Sequence, residues 1–333
     1  MPDESPIPLS ELHRRTPPAG GSVVTIGNFD GVHRGHAEIM HALRREADTR
    51  GARAAVITFD PHPIAIIAPD RAPPRLTTWR ERAALLRDAG AADVWTLASE
   101  APLFRLTAAE FIHTLVRALA PRAFVEGESF RFGAGRGGSI ETLAALGREL
   151  GFEVCAAPLV SGAVDGVAVS STAVRAYLAE GDVAQAASLL GRAHRITGVV
   201  VRGDARGRTI GFPTANVAQI EQVIPGFGVY AAVAQTRAAL HACAVNVGPQ
   251  PTFGQTTPRV EAHLLDFNGE LVDERIGLHF VQRLRAPRRF AGVAELVAQI
   301  EHDVRAVREL LPMEAGGAPR VPADGAPIRA IPL

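Results

Sequence analysis

The chain of 333 residues contains no lysine, so all 35 of its basic side chains other than histidine are arginine. Without lysine no Schiff base can form with a carbonyl or with pyridoxal phosphate. The Walker-type phosphate loop and the protein-kinase ATP site, each built around a lysine, are excluded as well. Any phosphate chemistry must run through arginine, histidine, helix N-termini or a metal. Cysteine is nearly absent too. Cys155 and Cys243 are the only two, which make neither a metal cluster nor a disulfide framework and fit a reducing cytoplasm. Each lies in an apolar run and reads as a small core residue. Net charge is absent, because 35 acidic residues balance the arginines, so no general attraction draws the chain to nucleic acid or to an anionic membrane. The basic and aromatic surface of an RNA-binding barrel is missing. No uncharged apolar run approaches the roughly 20 residues of a membrane span. The start of the chain, with Asp3, Glu4 and Pro6, lacks the layout of a signal peptide.

What remains is a composition able to bury two cores: 47% hydrophobic and 21% charged residues over a length that suggests two domains. From residue 22 short apolar runs alternate with helical periods. Val23–Ile26, Ala54–Phe59, Val94–Leu97, Ala123–Val125 and Phe152–Ala156 read as strands. His36, Ile39, Met40, Leu43 and Ala47 fall on one helix face closed by Gly51. Thr78 with Glu81 and Thr107 with Glu110 have capping-box spacing. Such alternation predicts a parallel sheet covered on both faces, with ligands at the carboxyl ends of its strands. Near residue 195 the pattern changes to strand-like runs separated by Gly, Pro and Asn: Ile196–Val201, Val229–Ala234, Ala242–Val247, Val260–Phe267 and Gly277–Leu284. These predict an antiparallel barrel. A helix carrying Val293, Leu296, Ile300, Val304, Val307 and Leu311 closes it.

The first strand leads into Gly27-Asn28-Phe29-Asp30-Gly31-Val32-His33-Arg34-Gly35-His36. Glycines let backbone amides approach a ligand, and the start of a helix favours an anion. His33 and His36, three residues apart, are spaced to donate hydrogen bonds to one phosphate as charge builds on it. The run resembles the H-x-G-H nucleotidyltransferases, in the wording of the prokaryotic bifunctional riboflavin kinase/FAD synthetases. Thr58-Phe59-Asp60-Pro61-His62-Pro63 and Val169-Ser170-Ser171-Thr172-Ala173-Val174-Arg175 resemble two further segments of that family. The resemblance implies ATP and phosphate contacts for Gly27, Asn28, Phe29, Asp30, Gly31, Gly35, Ser170, Ser171, Thr172 and Arg175, the last three receiving pyrophosphate. It implies flavin contacts for His62, Ser129 and Phe130. One segment departs: Glu126-Gly127-Glu128-Ser129-Phe130-Arg131-Phe132-Gly133 has Ser129 where the family carries Asp or Asn. Serine reaches less far and bears no charge.

Gly198 to Asn216 ends in Gly211-Phe212-Pro213-Thr214-Ala215-Asn216 and resembles the riboflavin kinase signature. Thr214 and Asn216 offer oxygens suited to Mg²⁺. Gly203, Gly207 and Gly211 suit close approach of backbone amides to phosphate. Pro225–Tyr230, Asn246–Gly254 and Val260-Glu261-Ala262-His263-Leu264-Leu265 match later segments in family order. Glu261 shares a strand face with His263, opposite Val260, Ala262 and Leu264. The role implied for it is general base toward a primary hydroxyl.

The expectation is therefore an α/β chain of two catalytic parts. Residues 20–181 form a Rossmann-like domain with a parallel sheet that joins FMN to ATP. Residues 182–194 form a linker helix, 195–312 a barrel that phosphorylates riboflavin with MgATP, and 313–333 a mobile tail. Substrates are ATP, riboflavin and FMN, with Mg²⁺ as cofactor, and no nucleic acid or membrane partner is expected. Two other readings stay open from sequence: a kinase whose first domain is weakened or serves another acceptor, and a non-catalytic flavin-binding regulator.

Overall fold

The computed structural model describes residues 5–12, 14, 16–157, 163–164, 166–203, 206–249, 258–312, 319, 328, 331 and 333. The chain divides into two compact units, Met1–Val169 and Ser170–Leu333.

The first unit holds five parallel strands: β1 (Ser22–Ile26), β2 (Arg53–Asp60), β3 (Asp93–Ala98), β4 (Pro121–Glu126) and β5 (Glu153–Ala156). Their order is β3-β2-β1-β4-β5. The crossovers include helices α1 (Arg34–Arg50), α2 (Trp79–Asp88), α3 (Ala108–Leu119) and α4 (Ile140–Leu150). Every residue of β1 is buried, as a strand covered on both faces requires. Phe111, Ile112 and Leu115 of α3 and Leu143 of α4 share one core cluster with Val24, Ile57 and Phe124. On α1 the expected face is the buried one, with Met40, Leu43 and Ala47, and Gly51 caps it in the left-handed conformation at φ 58°. Thr107 and Glu110 form a full capping box, and Thr78 accepts from the Glu81 amide. The strand order reverses across β1, between β2 and β4, so the crevice for a ligand opens at the carboxyl ends of these strands.

The lead segment joins this unit, ahead of the domain start expected at residue 20. Ile7 forms a parallel bridge to Leu97, and Leu12 is fully buried. Burial of one such side chain contributes about 1.5–3 kcal/mol. Cys155 differs from expectation as well. It is only partly buried, beside Arg50 and Glu46, and burial is the main cause that pushes its thiol pKa up.

In the second unit α5 (Ser171–Glu180) and α6 (Val183–Leu190) precede a closed barrel. Its strands are β6 (His194–Val201), β7 (Ala215–Ala218), β8 (Gly228–Gln235), β9 (Leu240–Gly248), β10 (Arg259–Leu264) and β11 (Arg275–Arg285). All pairs are antiparallel, in the order β8-β9-β10-β7-β6-β11 and back to β8. The final helix α7 (Val293–Leu310) packs Val307 into a cluster with Ala231, Val233 and Leu265.

Two segments at the expected boundaries have partners within this unit. The helix expected to be a linker packs on β6, β11 and α5, with Val183, Ala186 and Leu190 buried, so α5 and α6 belong to the barrel's unit. The tail expected to be mobile lies largely outside the described residues, yet Ile331 is buried and its carbonyl accepts from Arg195 at 3.1 Å and Gln235 at 2.9 Å.

His279 of β11 is buried near Gln235. Burial, together with the positive neighbours Arg195, Arg192 and His194, holds its pKa down to about 3. Between that value and the ordinary 6.5, the unfolded chain binds a proton that the folded one refuses. Stability contributed by this residue is therefore lost as pH falls below 6.5, at up to about 1.4 kcal/mol per pH unit. His279→Gln should flatten the acid side of the stability profile in urea titrations at pH 7.5 and 5. A variant as acid-sensitive as its parent would contradict this.

Candidate active sites

At the carboxyl ends of β1, β2 and β4 the first unit builds a loop, a cavity and a helix start. His33 is the N-cap of α1: its Nδ1 accepts the His36 amide at 3.3 Å. That contact puts the ring proton on Nε2, so the donor of this imidazole is Nε2–H. The two imidazoles stack with centroids 3.6 Å apart and planes 14° apart. Gly35 permits this, since a Cβ there would lie 3.1 Å from the His33 ring. Phe29 meets His36 edge-on at 5.1 Å.

Two residues expected to touch nucleotide also hold the loop in shape. Asp30 is buried, and its carboxylate accepts from the Leu76 amide at 3.0 Å, the Thr77 amide at 3.1 Å and the Thr77 hydroxyl at 3.1 Å. These contacts tie the Asp30 side chain to the backbone ahead of α2. Phe29 is 3% exposed and belongs to the packing beneath His36. Phe29 and Val32 also carry positive φ, 47° and 39°. Such strain persists only where neighbours over-determine it, and the Asp30 anchor, with the Gly31 amide donating to Thr77 at 3.2 Å, supplies that constraint.

Beside the loop lies a cavity of about 290 Å³ lined by Gly27, Asn28, His62, Phe130 and Phe132. Asn28 and His62 side chains meet at 3.0 Å, while Phe130 and Phe132 stack at 5.2 Å. Of the three expected flavin contacts, His62 and Phe130 line this cavity. Ser129 sits exposed in the preceding turn. Ile64, Ile67, Phe104 and Arg136 also line it, without any signal in the sequence that singled them out. Just ahead of them, Glu126 at the end of β4 is fully buried and accepts the Ile26 amide at 2.7 Å; burial pushes its pKa well above the usual carboxylate range.

Ser170, Ser171, Thr172 and Arg175 belong to the second unit. Ser170 is the N-cap of α5 and accepts the Ala173 amide at 3.2 Å, and Ser171 and Thr172 occupy the first turn.

The barrel brings its own candidates together through strand pairing. Glu261 of β10 stands opposite Asn216 of β7 on one side and Asn246 of β9 on the other. Val260, Ala262 and Leu264 point into the core, so Glu261 and His263 face outward as expected. Asn246 donates to Glu261 at 3.4 Å, and His263 meets the Pro213 carbonyl at 2.7 Å. Gly203 lies so close to Asn216 that a Cβ would fall 2.1 Å from the amide nitrogen. Two cavities open here. One, about 420 Å³, contains Gly203, Arg208, Thr214 and Asn216. The other, about 480 Å³, contains Gly207, Thr214, Asn216, Glu261, Phe290, Leu296 and Ile300. Thr214 and Asn216 therefore form a wall common to both. Gly211 ends the turn after the short helix Arg206–Thr209, with φ 91°. Pro251, Thr252, Phe253 and Gly254 lie outside the described residues. Phe290, Leu296 and Ile300 were not legible as site residues, because helical period assigns the last two to packing.

The oxygens of Thr214 and Asn216 fit a hard divalent ion that takes its remaining ligands from phosphate and water. The Asn216 Oδ1 already accepts from the Arg259 guanidinium at 2.9 Å, so the position tolerates positive charge. Among the described residues no group of three His, Cys, Asp or Glu is placed to hold a metal by itself.

Comparison with known proteins agrees with both halves. Residues 16–173 match the FAD synthetase family model and residues 190–311 the riboflavin kinase model. The bifunctional riboflavin kinase/FMN adenylyltransferase of Escherichia coli K12 is 41% identical over 295 residues, covering 88% of this chain and 93% of that protein. The one from Pseudomonas fluorescens is 40% identical over 301 residues, 90% and 96%, and that of Bacillus subtilis 32% over 287 residues, 85% and 90%. A solved structure described as a macrolide-efflux protein from Streptococcus pneumoniae shares the fold, with a TM-score of 0.79 and 29% identity over 89% of this chain and 96% of that one. Among the described residues no helix is long and apolar enough to cross a membrane. With both catalytic domains present in order, and relatives of the same two-domain length, the chain belongs to the bifunctional riboflavin kinase/FMN adenylyltransferases, which phosphorylate riboflavin and adenylylate FMN.

Proposed function

We propose that riboflavin is phosphorylated at the wall shared by the two barrel cavities, with nucleotide on the Gly203 and Arg208 side and flavin on the Phe290, Leu296 and Ile300 side. One observation supports this above the others: Glu261 lies between Asn216 and Asn246 on the flavin side of that wall. Glu261 takes the proton of the 5′-hydroxyl as oxygen attacks the γ-phosphorus of ATP. Thr214 and Asn216 hold Mg²⁺, which when bound neutralises charge on the nucleotide phosphates. Arg208 and the amides near Gly203 and Gly207 orient the phosphates. Phosphoryl transfer of this kind depends mainly on position and charge.

In the first unit the FMN phosphate attacks the α-phosphorus of ATP, and pyrophosphate leaves. The nucleophile is already an anion, so no general base is required. His33 and His36 donate to the oxygens of the reacting phosphorus. The flavin occupies the cavity with Asn28, His62 and Phe130, and Gly27 and Gly35 let the loop approach the nucleotide. The assignment of Ser171, Thr172 and Arg175 to the leaving pyrophosphate rests on their motif and on the anion preference of a helix start. The reading implies a cytoplasmic location, where both reactions find ATP.

Thr214→Val removes one metal oxygen at nearly constant volume. It should raise the Mg²⁺ concentration needed for riboflavin phosphorylation about tenfold, the equivalent of roughly 1.4 kcal/mol, while FAD formation from FMN proceeds as before. Equal damage to both activities would remove the assignment.

A further inference from the structure

One charged side chain in the barrel site has no part in the reaction described above. Arg259 lies two residues before Glu261 on β10, hence on the same strand face. Its Nε and Nη2 donate to Asn216 Oδ1 at 3.1 and 2.9 Å, and Nη2 is also 3.0 Å from Glu261 Oε1. A single guanidinium thus bridges the amide oxygen assigned to the metal and the carboxylate assigned to the proton. We propose that Arg259 is a placeholder for the metal. It is a built-in cation that occupies the metal's position while nucleotide is absent, engages the base there, and must withdraw when the metal and nucleotide arrive. The proposal rests on the assignment of Asn216 as a metal ligand.

Three physical points support it. The first is exclusion: Asn216 Oδ1 already takes two donors from Arg259, and a divalent ion binding the same oxygen repels the guanidinium. Arginine does not relieve that repulsion by losing its proton, so the site clears only by movement of the side chain. The second is room to move, since the Arg259 side chain is 32% exposed and sits at the start of its strand. The third is the base. While Arg259 holds Oε1 and Asn246 holds Oε2, both carboxylate oxygens of Glu261 are engaged. Withdrawal of Arg259 frees Oε1 to accept the hydroxyl proton. Arrival of metal and nucleotide would then fill the site and release the base in one event, so that Arg259 acts as a positioning residue through Asn216 and Glu261.

The test is equilibrium binding of ADP to the full-length protein, by calorimetry, with and without Mg²⁺. Arg259→Gln removes the competing cation. It should tighten ADP binding in Mg²⁺ roughly tenfold, because the competent state no longer has to displace a resident charge. Without Mg²⁺, affinity should stay within about twofold. Arg259→Lys keeps the charge without the planar fork and should fall between the two. Unchanged or weaker ADP binding by folded Arg259→Gln in Mg²⁺ overturns the placeholder. Weaker binding would make Arg259 a direct phosphate ligand. Asn216→Ala separates the two levels. If Mg²⁺ still strengthens ADP binding in that variant, the metal assignment fails and the placeholder with it. If the Mg²⁺ effect disappears there while Arg259→Gln shows no gain, the placeholder alone fails.

Discussion

Glu261→Gln should lower riboflavin phosphorylation by about 10²–10⁴-fold, the range of a positioned general base, and leave FAD formation from FMN at the parent rate. The substitution keeps the side-chain shape and removes the proton acceptor. Its structural cost should be small. The Glu261 side chain is 24% exposed, and its ion pair with the partly exposed Arg259 has the modest worth of about 0–1 kcal/mol typical of surface pairs. The measurement is single-turnover conversion of riboflavin to FMN at saturating MgATP, with the melting temperature as control. A folded Glu261→Gln protein that phosphorylates riboflavin within threefold of its parent would exclude Glu261 as the base. Glu261 lies in the second unit and the paired histidines in the first, so the substitution leaves the histidines untouched.

The second large effect belongs to those histidines. His36→Ala should reduce FAD formation from FMN by about 10²–10³-fold, the cost of one donor to a developing oxyanion, with riboflavin phosphorylation intact. His33 has two functions that can be dissected. Its Nδ1 caps α1 and its Nε2 is the candidate donor. His33→Ala should lose activity and also about 1 kcal/mol of stability, the usual worth of an N-cap. Asparagine is among the best N-caps, so His33→Asn should recover the stability without recovering the activity. Chromatographic assay of FAD from FMN and MgATP, paired with urea unfolding, reads both quantities. Normal FAD synthesis by His36→Ala would sink the donor role, and full activity in His33→Asn would show that capping is all His33 contributes.

Much of this molecule was legible in its sequence, because both sheets bury regular apolar runs. The strands of the parallel sheet differ from expectation by a residue or two at their ends. The strand β7 was not read as a strand. Its four residues carry polar Asn216 in the middle and follow a proline and a threonine, so neither alternation nor a continuous apolar run marks it. Yet that strand sets Asn216 beside Glu261, and the geometry of the proposed kinase site depends on it. The motif around His33 was legible as a site, though the division of labour inside it was not. The part Asp30 plays in the loop shows only through the Leu76 and Thr77 amides, 46 and 47 residues later. Arg259 likewise gains meaning only through an amide oxygen 43 residues upstream. Pairings between distant, individually unremarkable polar groups leave no periodic trace. Ser129 is the reverse case: a departure from the family pattern that the structure places in an exposed turn, while Phe130 and His62 line the cavity.

The lead segment carries one more consequence. β3 is the outer strand of the parallel sheet, and an open row of amides and carbonyls invites a second chain to pair with it. Ile7 occupies part of that row, donating to the Thr96 carbonyl at 2.9 Å and accepting from the Ala98 amide at 2.8 Å. A protein trimmed to begin at residue 16, where the family match starts, would keep every candidate catalytic residue. It would also bare a sticky border and remove Leu12 from its seat. Residues 5–12 act as a selvedge, the finished margin that keeps a woven sheet from joining to its neighbours.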